Sequence, residues 1–308
     1  MKGLRLIPED THIDFIGHRF FAYALSLVVV FGSLFLVFTK GLNFGIDFTG
    51  GTLIEIRVEQ APDLADLRGN LNSLSLGGIS LQEFGEPTDL LIRLPEQPGG
   101  EEAQKAAIEK VRVALDEKFE NVDYRRTEFV GPQVGKELKK KGLYAVLFSM
   151  LGILAYIWLR FEWQFGLAAI AALLHDVIGT VGLFALTGMS FDLSSLAAVL
   201  MIAGYSINDT VVIFDRIRET LRKYKKKPLP EILNRSINDT LSRTIVTGLT
   251  TLLALVALWA FGGEVVRSFV NALIFGVVIG THSSIFVAAP LLLYLNIRKA
   301  GPEETSES

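Results

Sequence analysis

Residues 20–38 form a run of 19 without a charged side chain. At the helical rise of ~1.5 Å per residue it reaches ~28 Å, close to the thickness of a bilayer's hydrocarbon core. Lys2, Arg5 and Arg19 precede it as they would precede a signal peptide. The run is longer than the ~7–15 apolar residues of such peptides and no small-x-small site follows, so an uncleaved anchor is expected. About a hundred mostly polar residues come next. Five further apolar runs follow at 142–159, 164–187, 193–214, 244–261 and 268–297, the last long enough to tilt or to extend past the bilayer. The pattern predicts six membrane-spanning helices, one before the polar insert and five after it.

Within the insert the period changes. Residues 51–58 alternate as a strand, 62–74 fit a short helix with Pro62 at its start, and 79–84 and 89–94 read as strands about a Gly-Glu-Pro turn. Residues 100–119 carry a helical stripe of Ala103, Ala107, Ile108, Val111 and Leu115, and 121–130 close as a strand. The order βαββαβ predicts a ferredoxin-like domain. That fold hosts many activities, so a packing or docking role is the plain expectation. The expected organisation is a cytoplasmic segment 1–19, a first span 20–38, an extracytoplasmic α/β domain with linker 39–141, a five-helix region 142–297 containing a basic cytoplasmic loop 215–243, and a cytoplasmic tail 298–308.

Composition agrees with a membrane protein, since half of the 308 residues are hydrophobic and the mean hydropathy is +0.40. The net charge of -3 matters less than where the cations lie. The stretch 215–243 holds nine Lys or Arg, while the turns 188–192 and 262–267 hold only Arg267. By the positive-inside rule the basic stretch and both termini face the cytoplasm; Lys136, Lys139, Lys140 and Lys141 run against the rule beside a long translocated domain. Absence of cysteine excludes disulfides, thiolate metal sites and a cysteine nucleophile. His12, His18, His175 and His282 are too scattered for a zinc site, and no Gly-x4-Gly-Lys-Ser/Thr loop is present to cradle a nucleotide. No metal, cofactor, enzymatic activity or nucleic-acid partner is expected.

Ionisable groups inside the spans cost ~2.5–3.5 kcal/mol each on insertion scales, so each needs a partner or a purpose. Asp209 lies six residues inside Asp215, ~9 Å along the helix, and Arg243 stands where the fifth span begins. Antiparallel neighbours bring them to comparable depth, which makes them the first candidate pair, either a proton-coupling centre or a static ion bridge that fixes helix register. His175 and Asp176 occupy the middle of the third span and fit either an extension of a proton path or structural hydrogen bonding; Asn208 and Thr210 flank the central aspartate. Ala272, Gly276, Gly280, Ser284 and Ala288 recur every fourth residue and predict a face for close helix packing. Gly45, Gly50 and Gly51 allow positive φ where the chain leaves the membrane, and Asp47 can bond nearby amides, giving a sharp turn or a hinge.

Two segments, Gly45-Ile-Asp-Phe-Thr-Gly-Gly51 (with Phe48 at its centre) and Gly204-Tyr-Ser-Ile-Asn-Asp-Thr-Val-Val-Ile-Phe-Asp-Arg-Ile-Arg-Glu219, resemble the signature of the SecF family. Phe161-Glu-Trp163, Leu174-His-Asp-Val177 and Leu241-Ser-Arg-Thr244 extend the resemblance over residues 20–297. It implies half of a resistance-nodulation-division (RND) bundle in a bacterial inner membrane, paired with SecD and associated with the SecYEG channel, with YajC and YidC, and with translocating polypeptides. It also implies that Asp209 and Arg243 are the charges required for proton-driven work. Arginine stays protonated, so it takes the countercharge role, and the carboxyl, under the opposed influences of burial and of that cation, loads and releases the proton. Half of a small-molecule RND exporter would need larger extracytoplasmic insertions, and a non-coupling scaffold would be indifferent to neutralising Asp209. An intramembrane protease lacks its motifs.

Overall fold

Backbone N–H and C=O groups held away from water must be satisfied within their own segment, and a long apolar run does this by winding into a helix. The computed structural model describes residues 11–295 and 297. The expected tail 298–308 and the first ten residues of the segment 1–19 lie outside the described residues. Among the described residues six helices are long and apolar enough to cross a membrane. In chain order, α1 (Arg19–Lys40) is followed by a two-residue strand β1 (Asn43–Phe44) and a single helical turn α2 (Ile46–Thr49). The insert then forms β2 (Gly51–Val58), α3 (Leu64–Ser73), β3 (Ser80–Phe84), β4 (Glu86–Leu94), α4 (Gly100–Lys118) and β5 (Val122–Val130). After it come α5 (Pro132–Arg160), α6 (Trp163–Thr187), β6 (Ser190–Phe191), α7 (Leu193–Lys223), α8 (Leu229–Phe261) and α9 (Glu264–Ser283). A π turn at Ser284–Ala288 and a 3-10 turn at Leu292–Tyr294 continue the last helix. Pro290, which has no N–H to give, stands between them.

The chain divides into two units. In the α/β unit the strands run β3-β4-β2-β5, every neighbouring pair antiparallel, which is the fourth-first-third-second order of a βαββαβ unit numbered from its own first strand. Ile54, Ile56, Leu90, Ile92 and Leu94 from the sheet close on Leu67 and Leu71 of α3 and on Val111 and Leu115 of α4. Two boundaries differ from expectation by more than one residue. Asp63 caps α3, accepting the Ala65 N–H at 2.8 Å, so the helix begins after Pro62, and β4 starts three residues earlier than expected.

The other unit holds α1, α5 from Val146 on, and α6 to α9 apart from residues 190–193, and here the expected loop 215–243 is helical on both sides of a short connection at 224–228. The apolar residues hidden among its charges are the reason. Ile213, Phe214 and Ile217 of α7 and Leu233, Ile237 and Leu241 of α8 recur at helical spacing and share a core with Phe165 and Ala168 of α6. The charges occupy the other face, where Arg216 binds Asp239 at 2.6 Å and Glu219 at 2.6 Å. Similarly, α5 begins at Pro132, ten residues before its expected span, so Lys139 and Lys140 lie on a helix, over the rings of Phe44 and Tyr144.

A buried acidic seam as the candidate functional site

Asp209 faces α8. Its Oδ1 accepts a hydrogen bond from Thr244 Oγ1 at 2.6 Å, and its Oδ2 is buried with no hydrogen-bond partner among the described residues. Among the described residues Arg243 makes no direct ion pair with Asp209, although its charge is near enough to act on the carboxylate; the hydrogen bond comes from one residue further on, and the Arg243 side chain is exposed. Adjacent residues on a helix point ~100° apart, so only one of the two can aim at α7. Thr244 is therefore a site residue the sequence reading passed over. A hydroxyl beside a candidate cation at the start of a span was the available signal.

Deeper between the helices lies a second acidic group. Asp176 on α6 has no exposed surface. Its Oδ1 lies 2.9 Å from His175 Nδ1, and its Oδ2 accepts from Ser206 Oγ of α7 at 2.5 Å and from Ser283 Oγ of α9 at 2.6 Å. Neither serine was singled out from the sequence, although Ser206 stands one turn before Asp209. Thr210 Oγ1 and Ser284 Oγ, 2.8 Å apart, continue the polar contact between α7 and the last helix. Asn208 is exposed and takes no part in this seam.

Close packing makes these contacts possible. Ala272, Gly276, Gly280, Ser284 and Ala288 are all buried, and α7 covers part of their face: Ile202 fills the place a side chain at Gly276 would take, and Ser206 crowds Gly280. On α6, Gly179 admits Ile279 of α9 and Val29 of α1, and Gly182 admits Ser33 of α1, whereas Gly166 of α6 and Gly204 of α7 have open space beside them.

The glycine segment belongs to the α/β unit and is folded onto the turn before α7. Gly45 N–H donates to Phe191 O at 2.8 Å, the Phe48 ring stacks on Phe191, and Asp47 Oδ2 accepts the N–H of Leu193, the first residue of α7, at 3.0 Å. Arg93 of β4 donates to Ser190 Oγ and to Phe44 O. Gly50 and Gly51 have φ of +73° and +105°, as the turn requires. Gly45 does not: its φ is -69°, and its place is dictated by the nearness of Asp192, which leaves little room for a side chain.

Six apolar helices among the described residues, charges buried between them and one α/β unit inserted after the first helix define a polytopic membrane protein whose polar chemistry lies inside a helix bundle. Residues 110–298 match the family model described as protein export membrane protein SecD/SecF, C-terminal, and residues 35–62 match the SecD/SecF GG motif. The chain is 49% identical over 297 residues to the protein translocase subunit SecF of Rickettsia felis, covering 96% of both chains. Against the SecF of Cereibacter sphaeroides it is 46% identical over 311 residues, covering 99% of this chain and 96% of the other. The chain belongs to the SecF family of protein translocase subunits. Its fold matches the crystal structure of SecDF from Thermus thermophilus, a translocon-associated membrane protein, with a TM-score of 0.85 at 36% identity. That match covers 94% of this chain and 39% of the SecDF chain, so the chain spans about two fifths of that relative's length. A super-membrane-facing form of SecDF matches with a TM-score of 0.68 at 37% identity, over 94% of this chain and 40% of that one.

Proposed function

We propose that the chain is the SecF-like part of an accessory complex of the Sec translocase, which uses the proton-motive force to promote late steps of protein translocation across a bacterial inner membrane. The observation that carries this reading is the half-satisfied carboxyl of Asp209, with one oxygen bonded to Thr244 and the other buried without a hydrogen-bond partner among the described residues. A proton taken up on that oxygen removes the charge that Thr244 stabilises, and α7 responds. Arg243 supplies a permanent positive charge one residue from that bond, without pairing directly. Each elementary charge that crosses 100 mV is worth ~2.3 kcal/mol, so a few protons suffice to reorient a domain.

The face of α7 and α8 that carries Asn208, Arg243, Ile245, Val246 and Leu249 is exposed in this chain. A guanidinium and an amide on an otherwise apolar face are costly against lipid, which supports a second membrane half of SecD type as its cover. SecYEG, YajC and YidC complete the proposed set of partners, with the translocating polypeptide as the cargo. Both termini and the 224–228 connection with its neighbouring basic residues face the cytoplasm in this reading.

The test replaces Asp209→Asn and measures export with and without a proton gradient, while following co-purification of the partner subunit. Loss of the gradient-dependent part with the complex intact supports the proposal. Unchanged export would leave Asp209 as a static link to Thr244 and reduce the chain to a scaffold.

A further inference from the structure

Asp176 is a fully buried carboxyl that the Asp209 reading does not use. It is held from three helices. Ser206 and Ser283 both donate to Oδ2, while Oδ1 faces His175 Nδ1. The other ring nitrogen of His175, Nε2, is buried with no hydrogen-bond partner among the described residues, although the residue is only 4% exposed. Its ring stacks on that of His282, with centroids 6.1 Å apart, and His282 in turn stacks on Phe286. On the elements packed about α6 the described titratable side chains are Arg19, Tyr23 and Lys40 of α1, Tyr205 and Asp209 of α7 with Asp215, Arg216, Arg218, Glu219, Arg222 and Lys223 at its far end, Arg267 and His282 of α9, and Tyr294 beyond it. Among the described residues none of these is bonded to Asp176, and the imidazole of His175 is the titratable group in contact with it.

This geometry accommodates a proton without moving a helix. With Asp176 ionised, His175 carries its proton on Nδ1 and donates to Oδ1. A proton arriving at the free Nε2 makes the ring an imidazolium, which passes its Nδ1 proton to Oδ1. The ring is left as the other neutral tautomer, and Oδ1–H now donates to Nδ1. One proton has been added, one carboxylate charge removed, and every other hydrogen bond kept. What changes is strength, because the two serine bonds to Oδ2 lose their charge assistance.

We propose that Asp176 is a second proton-binding carboxyl of this half, loaded through His175 Nε2, whose protonation loosens the hold of α6 on α7 at Ser206. Ser206 lies one turn from Asp209, so the proposal rests on the reading that α7 is the proton-responsive helix. Asp176 would set how freely that helix moves.

The experiment is an infrared difference spectrum on a pH jump, recorded on the full chain in its complex with the partner subunit. Wild type should show a carboxylic-acid C=O band that Asp176→Asn removes and Asp209→Asn retains. Should Asp176→Asn not assemble, Ser206→Ala keeps the carboxyl and should shift that band, since one donor to Oδ2 is gone. Identical spectra for wild type and Asp176→Asn, or an unshifted band in Ser206→Ala, would make Asp176 a fixed structural ion and overturn the proposal. The band reports Asp176 directly, so failure of the Asp209 reading in the export assay leaves this result standing, and the reverse holds too.

Discussion

At the scale of single residues, the α/β unit shows how a buried charge is kept. Asp89 on β4 is 1% exposed and receives two bonds from the Arg57 guanidinium, each 2.5 Å, with Arg125 at 3.6 Å. The bond from Arg57 holds its carboxyl below the usual carboxylate range, against the opposing pull of burial and with help from Arg125. A group whose folded value is depressed adds stability above its unfolded value of ~3.9 and loses it as pH falls through the folded value. Acid should therefore weaken the β2–β4 pair, read as loss of hydrogen-exchange protection in the full chain after correction for the intrinsic rate. Asp89→Asn should flatten that acid slope, and an unchanged slope would exclude the pair as its source. Residue type told which side chains in the chain needed partners. It could not tell that Asp209 would bond Thr244 in place of Arg243, because that choice depends on how α8 is rotated about its own axis.

For the elements, the decisive contact is between α7 and α9. The ladder of small residues was legible as a packing face from its spacing alone, but the residues that fill it, Ile202 and Ser206, lie some seventy positions away in the chain. Gly276→Val should collide with Ile202 and destabilise the bundle by about 1–3 kcal/mol, the usual penalty of overpacking. A lowered melting temperature in detergent measures it, and Ile202→Ala should recover part of the loss. No recovery in the double variant would mean that another neighbour opposes the added side chain. Helix ends were less legible than helix centres. Hydropathy registers the apolar middle of α7 and α8, whereas their charged ends are helical because Ile217, Leu233 and Ile237 reach a shared core.

Across the whole molecule, the glycine segment meets the start of the helix that carries the central aspartate. Asp47 satisfies one of the four N–H groups that the beginning of α7 leaves open. Asp47→Ala should remove that bond at a cost of about 0.5–2 kcal/mol and lower gradient-dependent export while the partner still co-purifies, whereas Asp47→Ser should restore part of it. Equal export in all three forms would reduce the segment to a simple turn. The sequence by itself determined the six apolar helices of the described residues, the βαββαβ order and the aspartates that lie inside the spans, Asp176 and Asp209, because hydrophobic period and desolvation cost act on neighbours along the chain. Only the tertiary structure decided that Asp176 is clamped by Ser206 and Ser283, that Asp209 bonds Thr244, and that Asp47 reaches Leu193. Those pairs are 30, 107, 35 and 146 residues apart, and a hydrogen bond forms only when rotation and depth of two elements agree to within a few tenths of an ångström.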